Sequence, residues 1–178
     1  MRKKILSLHL LLASFMAPAF IMVAISGGLY LIGIKGANIE SEVSVPAQFS
    51  LDLSSNELEQ DVRTILGQLD LKTNFEYLRI RGSSITTRPT SREHLRLNVT
   101  DEGLKIQIVK PDLQSSLIEL HKGHGPTLFK TYQKLVALGL IFVMLSGLWM
   151  GISNKMMRKK TLVATALGLA TFIVLALS

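Results

Sequence analysis

The sequence predicts an α-helical membrane protein: three transmembrane helices, with a small α+β domain in water between the first two. Three observations predict it. Three long apolar runs, Ile5–Ile34, Leu135–Ile152 and Leu162–Leu177, contain no charge. All thirteen acidic residues fall between Glu40 and Glu119, outside those runs. The basic residues outside that stretch gather beside the runs, as Arg2-Lys3-Lys4 and as Lys155 with Arg158-Lys159-Lys160.

A helix needs roughly 20 apolar residues to cross a bilayer, and about 17 is the lower limit. The first run has 30 residues and the second 18, so both suffice. The third is shorter and carries Thr165 and Thr171; it crosses if Thr161 and Ser178 sit at the interfaces. A cleaved signal peptide would have an apolar core of only about 7–15 residues. Here Gly27-Gly28-Leu29-Tyr30-Leu31 prolongs the run, so the first helix is expected to stay.

Lys and Arg beside membrane helices face the cytoplasm. Three crossings put both basic clusters on that side and leave residues 35–134 and the C-terminus on the other. The expected organisation is 1–34, N-terminus and first helix; 35–126, water-exposed domain; 127–152, second helix; 153–160, basic loop; 161–178, third helix. Lys35–Lys130 holds 12 basic against 13 acidic residues, so the net charge of +7 comes from the loops and Lys134. The charge is therefore a topology signal, and no nucleic-acid partner is expected.

Ala24 and Gly28, Gly147 and Gly151, and Ala164 and Gly168 are small residues four apart, suited to close helix packing. Pro18 removes a backbone donor inside the first helix and is expected to kink it. Tyr30, Tyr132 and Trp149 fall where amphipathic rings favour an interface.

The stretch between the first two helices has room for one small core. Ser54-Ser55-Asn56 followed by Glu57 reads as a helix start, and Leu58, Val62, Ile65, Leu66 and Leu69 recur at helical spacing. Phe75–Arg81 and Ile85–Thr87 read as strands joined at Gly82-Ser83. Leu95–Thr100 and Leu104–Val109 form a second hairpin around Asp101-Glu102-Gly103. Asp112 can cap a short helix running to Leu120. One helix on about four antiparallel strands results, with one sheet face covered and one wet. With no cysteine, the domain holds by packing alone and thiol chemistry is excluded. Asn98-Val99-Thr100 matches a glycosylation pattern, but lies within a strand.

Chemistry points to the histidines. His9 is an ionisable group inside the first apolar run, where such groups are expensive. It is either a haem ligand or a neutral imidazole bonded to a neighbouring helix. His121-Lys122-Gly123-His124-Gly125-Pro126 precedes the second helix. His121 and His124 can share a metal ion, with Glu119 or His94 as a further ligand. The glycines, Pro126 and Lys122 argue instead for a polar linker. His121 is also a candidate haem ligand, but a six-coordinate haem takes one His on each side of its ring. In the three-crossing topology His9 and His121 lie at opposite membrane faces, so haem b would need a homodimer or another partner. No hydrolase, phosphate-loop or dinucleotide motif is present, which argues against an enzyme acting alone. Ile25-Ser26-Gly27-Gly28 is echoed by Leu145-Ser146-Gly147, without implying a symmetric site.

A first helix with an early His and a Ser-Gly end, an α-plus-hairpin domain, and His-Lys-Gly-His-Gly-Pro leading to Leu145-Ser146-Gly147-Leu148-Trp149-Met150-Gly151 resemble the PepSY-associated transmembrane proteins of bacteria. The resemblance is most specific from Leu120 to Gly151. It implies the bacterial inner membrane and a PepSY-like domain in the periplasm. Larger members are associated with reduction of ferric siderophores, and some bind haem between His-bearing helices; His9, His121 and His124 are the possible counterparts. This chain has fewer helices and no flavin or nicotinamide motif. The resemblance thus favours an anchored accessory protein whose domain binds a protein partner, with a haem-binding redox subunit as the alternative.

Overall fold

The computed structural model describes residues 2–178. In chain order the elements are α1 (Arg2–Leu31), β1 (Asn38–Val43), α2 (Leu58–Gln68), β2 (Tyr77–Arg81), β3 (Ser84–Arg88), β4 (His94–Thr100), β5 (Gly103–Pro111), α3 (Leu113–His121), α4 (Thr127–Ser153) and α5 (Arg158–Leu177). Helices α1, α4 and α5 are long and apolar enough to cross a membrane. Their large side chains point outward, as Leu11, Leu138 and Leu175 do, and α5 buries no residue at all. So much exposed apolar surface suits lipid and not water.

The chain forms two compact units, residues 1–20 with 134–178, and residues 21–133. In the first, a Cβ on Gly139 would collide with the thioether of the buried Met16. One on Gly151 would lie 2.6 Å from Thr161 Oγ1. The small-residue expectation therefore holds for Gly147 and Gly151, which meet side chains of other helices, while Gly28 and Gly168 face open space. Helix α1 continues through Pro18.

The second unit contains an antiparallel sheet in the order β1-β5-β4-β3-β2. Its register lines up Val43, Ile106, Leu97, Ile85 and Ile80 in one row across all five strands. Ile85, Leu97 and Ile106 are almost wholly buried and meet Leu58, Val62, Ile65 and Leu66 of α2. The neighbouring row, Glu42, Gln107, Arg96, Thr86 and Arg79, belongs to the opposite, wetter face. Strict alternation explains both rows, because successive side chains of a strand leave opposite faces.

The sequence suggests about four strands, and the fifth is β1. Asn-Ile-Glu-Ser-Glu-Val does alternate, but at the sheet edge five of its six residues are exposed, so little apolar content marks it. Helix α2 starts at Leu58, later than Ser54-Ser55-Asn56 suggests. Ser55 accepts from the Glu57 N–H and donates to Asp61, building a turn ahead of the helix instead of capping it. Phe75 precedes β2 and lies buried beneath Arg63, whose guanidinium is 3.9 Å from the ring centre. Arg63 also donates to the carbonyls of Thr73 (2.6 Å) and Phe75 (3.0 Å), fastening that loop to α2.

Asp112 caps α3, accepting from the Ser115 N–H at 2.7 Å. Its other oxygen accepts from the Ala37 N–H at 2.8 Å, and its own N–H donates to the Ala37 carbonyl. Gly36 is part of the same clasp: its φ is +74°, and any Cβ would strike the Ser115 amide.

Leu97→Ala removes the middle of the apolar row. It is expected to cost about 2–5 kcal/mol, read as a lower denaturant midpoint for loss of the sheet signal of the full chain in detergent.

Candidate functional site

The histidine and the buried serines of the apolar helices are paired. In the first unit His9 Nδ1 lies 2.8 Å from Ser146 Oγ, and Ser146, which is buried, also donates to the Val143 carbonyl. Gly147 follows, and a Cβ there would be 3.5 Å from His9 Cε1. In the second unit His121 Nδ1 lies 3.2 Å from the fully buried Ser26 Oγ, and a Cβ on Gly27 would be 3.3 Å from His121 Cε1. The same arrangement thus occurs twice. A serine takes Nδ1 of a distant histidine, and the following glycine makes room for the ring edge. The Ser-Gly echo in the sequence marks both places, yet gives no hint of which residue each serine meets.

His124 is placed differently. Its Nδ1 is 2.7 Å from Glu119 Oε2, which also accepts from Thr90 Oγ1 at 2.5 Å. Arg88, buried, donates to Thr90 Oγ1 at 2.7 Å, and the Thr90 N–H donates to the His124 carbonyl. His121 and His124, paired in the sequence as metal ligands, therefore have different hydrogen-bond partners. Among the described residues no three His, Asp or Glu side chains gather as a metal site would need. Thr90 and Arg88 escape sequence reading because only the fold brings the β3–β4 loop to the end of α3.

His94 is buried at the start of β4, with Nδ1 2.9 Å from the Arg92 carbonyl. It borders an open groove of about 520 Å³. Phe75, Leu95 and Ile108 supply apolar surface there; Lys72, Arg92 and Glu93 supply charge. Glu93 is held between Lys72 (2.6 Å) and Lys110 (3.1 Å). On the same unit Glu76 accepts from the Thr127 N–H (2.8 Å) and hydroxyl (2.6 Å), giving α4 a carboxylate at its positive end. Lys130 of α4 bonds the Tyr77 hydroxyl.

Residues 84–178, from β3 through α5, match the PepSY_TM-like family model, more than half of the chain. The chain belongs to the PepSY_TM-like family. No curated protein and no solved structure matches it. The matched span of this PepSY_TM-like chain holds His94, His121, His124 and Ser146, while His9 and Ser26 precede it.

Several groups of the domain couple its stability to pH, of which His94 and Glu119 are the most buried. Burial pushes His94 below its ordinary 6.5, and the charges of Arg96 and Arg88 add to that. Burial alone would raise the Glu119 carboxyl, but hydrogen bonds from Thr90 and His124, with the charges of His124 and Lys122, hold it below its ordinary 4.5. Both shifts have the same sign. The unfolded chain takes up each proton before the folded one, so stability is present at neutral pH and is lost on acidification. The loss begins below about 6.5 through His94 and grows below about 4.5 through Glu119 together with Glu76, Glu93 and Glu102. Unfolding midpoints measured against pH are expected to fall in these two stages, with His94→Gln flattening the first and Glu119→Gln making the second shallower.

Proposed function

We propose that this PepSY_TM-like chain is an accessory protein of the bacterial inner membrane that presents its sheet domain to a protein partner. In this reading α1, α4 and α5 cross the bilayer. The N-terminus and the basic loop 153–160 face the cytoplasm, and residues 35–126 face the periplasm. The observation that carries it is the groove beside His94. An apolar floor with a charged rim suits a polypeptide segment, whose backbone and mixed side chains need both. In this reading the groove belongs to the periplasmic domain that carries all thirteen carboxylates, and the basic clusters are cytoplasmic.

A photo-crosslinking amino acid at position 92 of the full chain, in intact cells, tests the reading. It is expected to give a discrete protein adduct, whereas the same probe at Asp101, in the β4–β5 turn, gives none. Equal labelling at both positions, or none at 92, refutes it.

The paired histidines favour a second reading, a haem-binding subunit. Each imidazole is held at Nδ1 by a serine, and Nε2 is free of hydrogen bonds among the described residues. A bonded Nδ1 fixes the ring's orientation and leaves Nε2 as the nitrogen that would donate to a metal. These residues fit the role of an imidazole that would hold a haem. His9, with Ser146 and Gly147, would hold one haem and His121, with Ser26 and Gly27, another; each would need its second ligand from a partner or a second copy. When bound, haem supplies one-electron chemistry. Absorption spectra of detergent-purified protein, oxidised and reduced, are expected to show a Soret band that His9→Ala or His121→Ala diminishes. A flat spectrum from cells supplied with haem precursor removes this reading.

A further inference from the structure

The two edges of the sheet complement each other. Strand β1 pairs only with β5 and β2 only with β3, so each leaves one backbone edge open. Along β1, Glu40 and Glu42 lie on the wetter face, while Ile39 and Val43 lie on the α2 face. Along β2, Arg79 and Arg81 lie on the wetter face and Leu78 and Ile80 on the α2 face. One edge is therefore acidic and the other basic, on the same face. Both carry exposed isoleucine on the opposite face, Ile39 at 69% and Ile80 at 46%. Glu40 also reaches Arg96 within the chain at 3.0 Å. Among the described residues Glu42, Arg79 and Arg81 have no ion-pair partner.

We propose that copies of this chain join edge to edge, β1 of one against β2 of the next, into a continuous sheet. Every neighbouring pair in the sheet is antiparallel, so with three strands between them β1 and β2 run in the same direction. A second copy brought alongside by translation meets β2 with its β1 parallel and the same face up. Glu40 then faces Arg79 and Glu42 faces Arg81 on one side, and Ser41 faces Ile80 on the other. Isologous pairing is opposed by the same charges: β1 on β1 sets Glu against Glu, and β2 on β2 sets Arg against Arg. Like charges opposite one another destabilise a sheet. A head-to-tail contact of this kind gives a ring or an open row, not a lone dimer. Copies anchored in one bilayer share an orientation, which keeps the translated pairing available to each. The contact lies apart from the groove beside His94, so either proposal can fail without the other.

The absence of cysteine makes the test clean. Full-length protein in native membranes would carry Ser41→Cys, Ile80→Cys, or both, and be oxidised mildly and run without reductant. Adjacent strands lie about 4.8 Å apart, within disulfide reach, whereas the two edges of one sheet are about 19 Å apart and cannot bridge within a copy. The double variant is expected to give a ladder of dimer, trimer and higher species, and each single variant only monomer. Adding Glu42→Arg should reduce the ladder at least tenfold, and adding Arg81→Glu to that should restore it. Ser41 and Ile80 are both exposed, and an unchanged elution volume of the reduced double variant shows that it is folded. Monomer alone from the double variant, dimer from either single variant, or a ladder indifferent to the charge changes overturns the proposal.

Discussion

A polypeptide that crosses a bilayer can place few uncompensated polar groups within it, and this constraint organises the whole chain. Carboxylates are confined to the stretch between Glu40 and Glu119. The buried polar groups of the apolar helices find partners in the protein: Ser146 with His9, Ser26 with His121. A small domain rich in charge must then hold together without disulfides. It does so by one apolar row through five strands, closed by α2.

The match from β3 through α5 places the chain in the PepSY_TM-like family, and the structure adds what membership leaves open. Three features compete for a functional role: the groove by His94, the serine-held histidines and the two charged edges. They use different surfaces and different chemistry. The groove suits a polypeptide, the histidines a ligand-accepting imidazole, and the edges another sheet. An accessory protein that docks a partner can use the first and third together without any redox step.

Much of this was legible in the residues themselves. Alternation from Leu95 to Val109 gives both strands and their turn, and Asp112 does cap α3. Elements escaped where the signal depends on long-range contact. Strand β1 has the right period, but its mostly exposed edge supplies too little apolar content to mark it. Ser55 has the chemistry of a cap, but bonds elsewhere because Asp61 comes within reach. The Ser-Gly echo is visible, yet its meaning rests on histidines 95 and 137 residues away in sequence. The Arg88–Thr90–Glu119–His124 cluster has no local signature, since it joins a strand end to a helix end.

The clasp at Asp112 has a mechanical consequence. The chain enters the sheet at Asn38 and leaves it at Pro111, and these two residues face each other at one end of the β1–β5 ladder. A pull that separated the incoming and outgoing segments would load the ladder in its weakest mode, peeling one hydrogen bond at a time. Asp112 sits where that tear would begin. It ties Ala37 through both its carboxylate and its amide, and Gly36 lets the backbone close around it. Tension carried along the membrane tethers therefore meets a rivet before it meets a zip, and the sheet is shielded from the motions of its own anchors.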